Sequence, residues 1–165
     1  MAQQTTLILG EYMRALDDRF RLTLPPELAT MLAEGEEEAA CVLAKERPGC
    51  LSLWNRQTWE VRIEPGIAVV RQKVQGNWLP TQVAEVQQFA RLLSTRSREV
   101  SLAGRGRLVV PAESGFREFL GVKPAEECAV VGAGLCIELW HPEVWREYLM
   151  QEISSFGSLF EKLSK

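Results

Sequence analysis

The 165-residue sequence predicts an α+β protein of two equivalent halves, an intrachain pseudo-dimer with short flanking helices. Residues 16–25, LDDRFRLTLP, return 86 positions later as residues 102–111, LAGRGRLVVP. At the same offset Glu27 and Gly35 meet Glu113 and Gly121, and Cys50, Leu53, Trp54 and Trp59 meet Cys136, Leu139, Trp140 and Trp145. A match this long with no insertion implies a pseudo-two-fold axis, and two copies make a pseudo-dimer, not a solenoid. Within each half the apolar spacing switches between the strand and helix periods.

Residues 7–16 alternate partially, as a half-buried strand does, and Asp17 and Asp18 mark a turn. Leu22 and Leu24 put two leucines on one face of a second strand that Pro25 stops. Pro26 suits a first helical position, and Leu28, Met31 and Leu32 have helical spacing up to Gly35, placed as C-cap. Glu36, Glu37 and Glu38 read as a solvated loop and residues 41–44 as a strand; Arg47, Pro48 and Gly49 turn the chain into a strand over 50–54. Asn55 is a natural N-cap for a helix through Val61, which Pro65 and Gly66 interrupt. A connecting helix is clearest from Val83 to Leu93, with Thr81 as its cap. After the second half, apolar residues from Tyr148 to Leu163 fit a helix with a break at Gly157, covered either by the body of the same subunit or by a neighbouring chain.

Hydrophobic residues at 46% and charged residues at 25% point to an ordinary folded protein. No apolar run approaches a membrane span, and no basic segment precedes a long apolar one, so a cytoplasmic location is expected. Halves of about 80 residues bury little surface alone, so a shared core or oligomerisation is expected. Cys41, Cys50, Cys128 and Cys136 lack a CxxC pair and read as buried free thiols. With one histidine, His141, neither a Cys/His zinc pattern nor a Ser/His/Asp set arises; no metal, cofactor or small-molecule substrate is expected, and no enzyme. Asp17 and Asp18 are adjacent, which does not let two carboxyls share a proton on a strand. Trp54, Trp59, Trp140 and Trp145 read as core packing and not as base-stacking platforms.

The net charge of −3 gives no overall attraction to phosphate, so a nucleic-acid role would need local clustering. The candidates are Arg19, Arg21, Arg105 and Arg107, two in each repeated turn, whose guanidinium forks match phosphate oxygens and guanine edges. Arg14, Arg96 and Arg98 extend the patch more weakly. Asp17, a short acid at a turn, is expected to accept backbone N–H bonds and to orient Arg21.

The segments LGEY, LDDRFRLTLP, LSLW, TWE, FARLLSTRSREVSLAGRGRLVVP and CIELWHPEVWREY resemble the MraZ family of bacterial transcriptional regulators over residues 8–148. The resemblance implies tandem SpoVT/AbrB-type halves of swapped-hairpin kind, each with an Asp-x-x-x-Arg motif. It also implies a homo-oligomeric ring that binds repeated double-stranded DNA sites at promoters, in the cytoplasm and on the nucleoid. The first motif is Asp17 to Arg21; the second keeps Arg107 but has Ala103 in place of the acid. Phe20 stands where the family has glycine, as Gly106 does in the second copy, which implies a different turn or strain. The expected halves are 7–62 and 94–148, joined by a helical segment over 63–93 and followed by a helical tail over 149–165. Ala103, Phe20 and the acidic net charge motivate an alternative, a ring-forming scaffold that has lost operator binding.

Overall fold

The computed structural model describes residues 7–34 and 39–165. The first half contains β1 (Ile8–Ala15), β2 (Arg21–Thr23), α1 (Pro26–Ala33), β3 (Ala39–Arg47), β4 (Cys50–Asn55) and α2 (Arg56–Arg62). Helices α3 (Glu64–Gln75) and α4 (Val83–Arg96) follow. The second half repeats the order as β5 (Ser97–Leu102), β6 (Arg107–Val109), α5 (Phe116–Leu120), β7 (Glu127–Gly134), β8 (Ile137–Trp140) and α6 (Pro142–Glu152), and α7 (Phe156–Leu163) ends the chain.

The halves interleave. One antiparallel sheet has the order β1-β7-β8-β4-β3-β5, and β2 and β6 form a separate two-stranded ribbon. The first strand of each half is thus swapped onto the third strand of the other: β1 on β7, β5 on β3. The pseudo-two-fold axis is fixed by two pairs of equivalent residues that face each other, Leu22 with Leu108 in the ribbon and Ser52 with Glu138 in the sheet.

Strand alternation divides the side chains between two sheet faces. The inner face carries Cys41, Leu43, Leu51, Leu53, Cys128, Val130, Ile137 and Leu139, packed with Leu22 and Leu108 of the ribbon, Leu28 of α1 and Phe116 of α5. On the outer face Val42 and Ala44 pack with Trp59, and Ala129 and Val131 with Trp140. Both halves contribute to the inner core, so each supplies apolar surface that the other lacks.

The equivalence has a gap that the sequence match conceals. Leu43 faces Leu53 and Val130 faces Leu139; Leu53 and Leu139 are 86 positions apart, but Leu43 and Val130 are 87 apart. A bulge between Lys45 and Arg47 gives the first hairpin one residue more and restores the offset. Two compensating one-residue differences therefore replace the uninterrupted match.

Several helix boundaries also differ from expectation. Glu34, with φ of 51°, is the C-cap of α1, the role that Gly121 plays for α5 with φ of 75°. Gly35 and the acidic run 36–38 lie outside the described residues. Pro65 and Gly66 begin α3 instead of ending the helical region, since proline fits a first turn where its missing N–H has no partner to lose. Gln82, not Thr81, precedes α4, and no side chain caps it. The tail breaks at a 3-10 turn over Ile153–Ser155, and Gly157 is helical within α7.

Helices α3, α4 and α7 bury none of their residues. Trp78 between α3 and α4 is 72% exposed, and Phe156, Leu159, Phe160 and Leu163 of α7 are all exposed. The body of the same subunit does not cover the tail. Among the described residues no helix is long and apolar enough to cross a membrane.

Candidate nucleic-acid interface

The β2–β6 ribbon brings the two repeated turns together. Leu22 and Leu108 point into the core, so alternation leaves Arg21, Thr23, Arg107 and Val109 on the opposite, exposed face. Arg21 lies across from Val109 and Thr23 across from Arg107. The two arginines are therefore diagonal neighbours around the Leu22–Leu108 pair, an arrangement whose Cα atoms sit about 7–8 Å apart in antiparallel pairs. Arg19 and Arg105 are exposed in the flanking turns. Four arginines against two aspartates make this end of the molecule basic although the chain as a whole is acidic.

The first turn is organised by Asp17. Its Oδ1 accepts the backbone N–H groups of Arg19 and Arg21, both at 2.8 Å, and its Oδ2 accepts Arg21 Nε at 2.7 Å. The Arg21 backbone N–H is the main influence holding the Asp17 carboxyl below the ordinary aspartate range; desolvation opposes it, and the Arg21 guanidinium and Arg19 N–H add to it. Arg21 is thus aimed through its Nε, which leaves its terminal nitrogens for a ligand.

The second turn reaches a similar shape without an acid. Ala103 and Arg107 exchange backbone hydrogen bonds at 3.0 and 2.9 Å, and Gly104 and Gly106 both have positive φ, 53° and 83°. The Arg107 guanidinium packs over Gly104, where an added Cβ would lie 3.4 Å from Nη2. Arg107 is laid against the turn and, among the described residues, hydrogen-bonds no carboxylate.

Phe20 adopts φ of 57°, close to the 83° of its equivalent Gly106. Both expectations for this position are met: the left-handed conformation is kept, at a cost of about 1–2 kcal/mol for a side chain with a Cβ, and the turn differs, since Arg21 N–H bonds Asp17 Oδ1 where Arg107 N–H bonds Ala103 O. The ribbon holds both positions from across the axis, with Leu24 N–H donating to Gly106 O and Val110 N–H to Phe20 O, each at 2.9 Å.

The other expected arginines lie elsewhere. Arg14 is on β1 with its guanidinium 5.6 Å from the Tyr12 ring centre and bonded to Met13 O. Arg96 pairs with Glu46 and lies over Trp59, and Arg98 pairs with Glu113. Thr23 and Val109, which complete the exposed ribbon face, escaped the sequence reading although the two-residue period of β2 and β6 marks them.

The four repeated tryptophans are packing residues: Trp59 and Trp140 are buried, and Trp54–Trp59 and Trp140–Trp145 pairs pack at 6.0 and 5.1 Å. His141 caps α6, its Nδ1 accepting the Glu143 N–H at 3.2 Å. All four cysteines are free and buried, and desolvation pushes Cys41, Cys128 and Cys136 up to about 12 and raises Cys50 as well.

Residues 94–163 match the family model described as "MraZ protein, putative antitoxin-like". A protein named transcriptional regulator MraZ from Heliobacterium modesticaldum is 29% identical over 157 residues, covering 95% of this chain and 96% of that protein. Proteins of the same name from Syntrophomonas wolfei and Symbiobacterium thermophilum are each 28% identical, covering 95% and 94% of this chain and 96% and 99% of their own lengths. The chain is similar to MraZ proteins over nearly its whole length. Its interleaved halves are consistent with the tandem AbrB-like architecture of MraZ proteins. Within that architecture, Ala103 and Phe20 mark where this chain builds its two turns differently.

Proposed function

We propose that this protein is a DNA-binding transcriptional regulator that contacts double-stranded promoter DNA through the outer face of the β2–β6 ribbon. The observation that carries the reading is the diagonal placement of Arg21 and Arg107 on an exposed face, with Arg19 and Arg105 beside them. Two-stranded ribbons fit DNA grooves, and guanidinium groups serve both phosphate and guanine. The names of the relatives point the same way. One subunit offers few cations, so affinity would come from several subunits engaging repeated sites. The uncovered apolar faces of α3, α4 and α7 support assembly of such a homo-oligomeric ring. The same reading places the protein in the cytoplasm, on the nucleoid.

Fluorescence anisotropy with DNA from upstream of its own gene tests this. Salt-sensitive binding that is lost in the double variant Arg21→Ala, Arg107→Ala is the expected result. Absence of binding at low salt would leave the scaffold reading, which Ala103 favours by removing the second acid.

A further inference from the structure

A closed set of contacts surrounds the strained position 20. Arg117, on α5 of the second half, places its guanidinium carbon 4.1 Å from the Phe20 ring centre. Its Nε donates to Val110 O at 2.9 Å, and Val110 N–H donates to Phe20 O at 2.9 Å. Arg117 therefore grips Phe20 twice, once through the ring and once through the strand that holds its carbonyl. Position 20 lies between Arg19 and Arg21, whose amides both bind Asp17.

The second turn shows what this arrangement replaces. At Gly106 the opposing helix approaches directly: a Cβ there would lie 2.9 Å from Ala29 Cβ of α1. No comparable approach is possible at position 20, where a whole aromatic ring is seated and the partly buried Arg117 covers it. A cation–π contact at such a site is comparable in strength to the cost of the left-handed backbone.

We propose that Arg117 is a positioning residue for DNA recognition: through Phe20 it fixes the first turn, so that Arg21 meets the bases in one orientation. Arg117 itself touches no DNA. The proposal rests on the ribbon being the DNA-binding face. It also explains how a phenylalanine replaces glycine without loss of the turn: the second half of the chain holds the first half's recognition loop.

The test compares wild type with Arg117→Met, Arg117→Lys and Phe20→Leu, after thermal unfolding has shown that each is folded. Two quantities are read: anisotropy binding to own-promoter and random duplexes across a salt series, and amide hydrogen exchange of Arg19 and Arg21 in the free protein. Arg117→Met is expected to weaken promoter binding roughly 5- to 10-fold, with random-duplex binding and salt slope unchanged, and to speed exchange at both amides about 10-fold. Arg117→Lys keeps the charge but not the fork, so it should resemble Arg117→Met. A fall of about 0.9 in the salt slope would make Arg117 a phosphate contact and overturn the proposal. Unchanged exchange at Arg19 and Arg21 would overturn it as well. If wild type binds no DNA, the DNA reading fails by itself; faster exchange in Arg117→Met would then keep the clamp while removing its role in recognition.

Discussion

Asp17 holds Arg21 at two points, accepting its backbone N–H and its Nε, and also accepts the Arg19 N–H of the same turn. The equivalent acid is absent beside Arg107, which relies on two glycines and a backbone pair with Ala103. The two ribbon arginines are symmetric in position and unequal in support.

That inequality should appear in binding. Either Arg21→Ala or Arg107→Ala is expected to lower the salt slope by about 0.9, as one phosphate contact is lost. Arg21→Ala should also reduce the preference for promoter over random duplex, whereas Arg107→Ala should weaken both alike. Ala103→Asp would supply the missing carboxylate and raise the preference by roughly 3-fold. Equal loss of preference from the two alanine variants refutes the division.

The support from Asp17 depends on pH. Its carboxyl is held below the ordinary value of 3.8, so its contribution is complete above that value and is lost as pH falls through the lower, folded one. The ratio of turn exchange rates between Asp17→Asn and wild type should be constant from pH 7 to about 5 and approach one in stronger acid. A ratio that grows on acidification contradicts this sign.

Glu138 behaves oppositely. Burial raises its carboxyl above the ordinary 4.5, the Trp140 N–H opposes the shift, and Glu46 adds to it. An acid raised on folding destabilises the native state at high pH, and the penalty disappears once pH falls below the ordinary value. Glu138→Gln, which can still accept from Trp140 Nε1, should raise Tm by a few degrees at pH 7 and by nothing at pH 4. Differential scanning at both pH values reads this directly.

The ribbon is also a stability element. Leu108→Ala removes a fully buried side chain at the pseudo-axis and should cost about 2–5 kcal/mol in urea unfolding. Gly106→Ala should cost about 1–3 kcal/mol, because its Cβ would meet Ala29 and its φ is 83°. A neutral Gly106→Ala would show that α1 can retreat from the second turn.

The buried thiols give a last check. With Cys41, Cys128 and Cys136 held at about 12 and Cys50 also raised, the native protein should react with a thiol reagent at pH 8 only as fast as it opens. All four should react at once in denaturant. A fast-reacting thiol in the native protein would place one of them at the surface.

The local devices are legible in the chain of residues alone: the duplicated turns, the prolines that end β2 and β6, the Asn55 cap on Gln57 N–H, and the alternation that sends Leu22 and Leu108 inward. Each depends on residues a few positions apart, where turn chemistry, capping and periodicity act. Long-range packing decided that β1 leaves its half to pair with β7, that Leu43 matches Val130 one position out of step, and that Arg21 and Arg107 lie diagonally on one face. It also decided that Arg117 braces Phe20 across the two halves. Such pairings join residues far apart in the chain, from 86 positions for Arg21 and Arg107 to 126 for Ile8 and Gly134; they are settled by which apolar faces can be buried together and which backbone edges must be paired, and no local pattern records that choice.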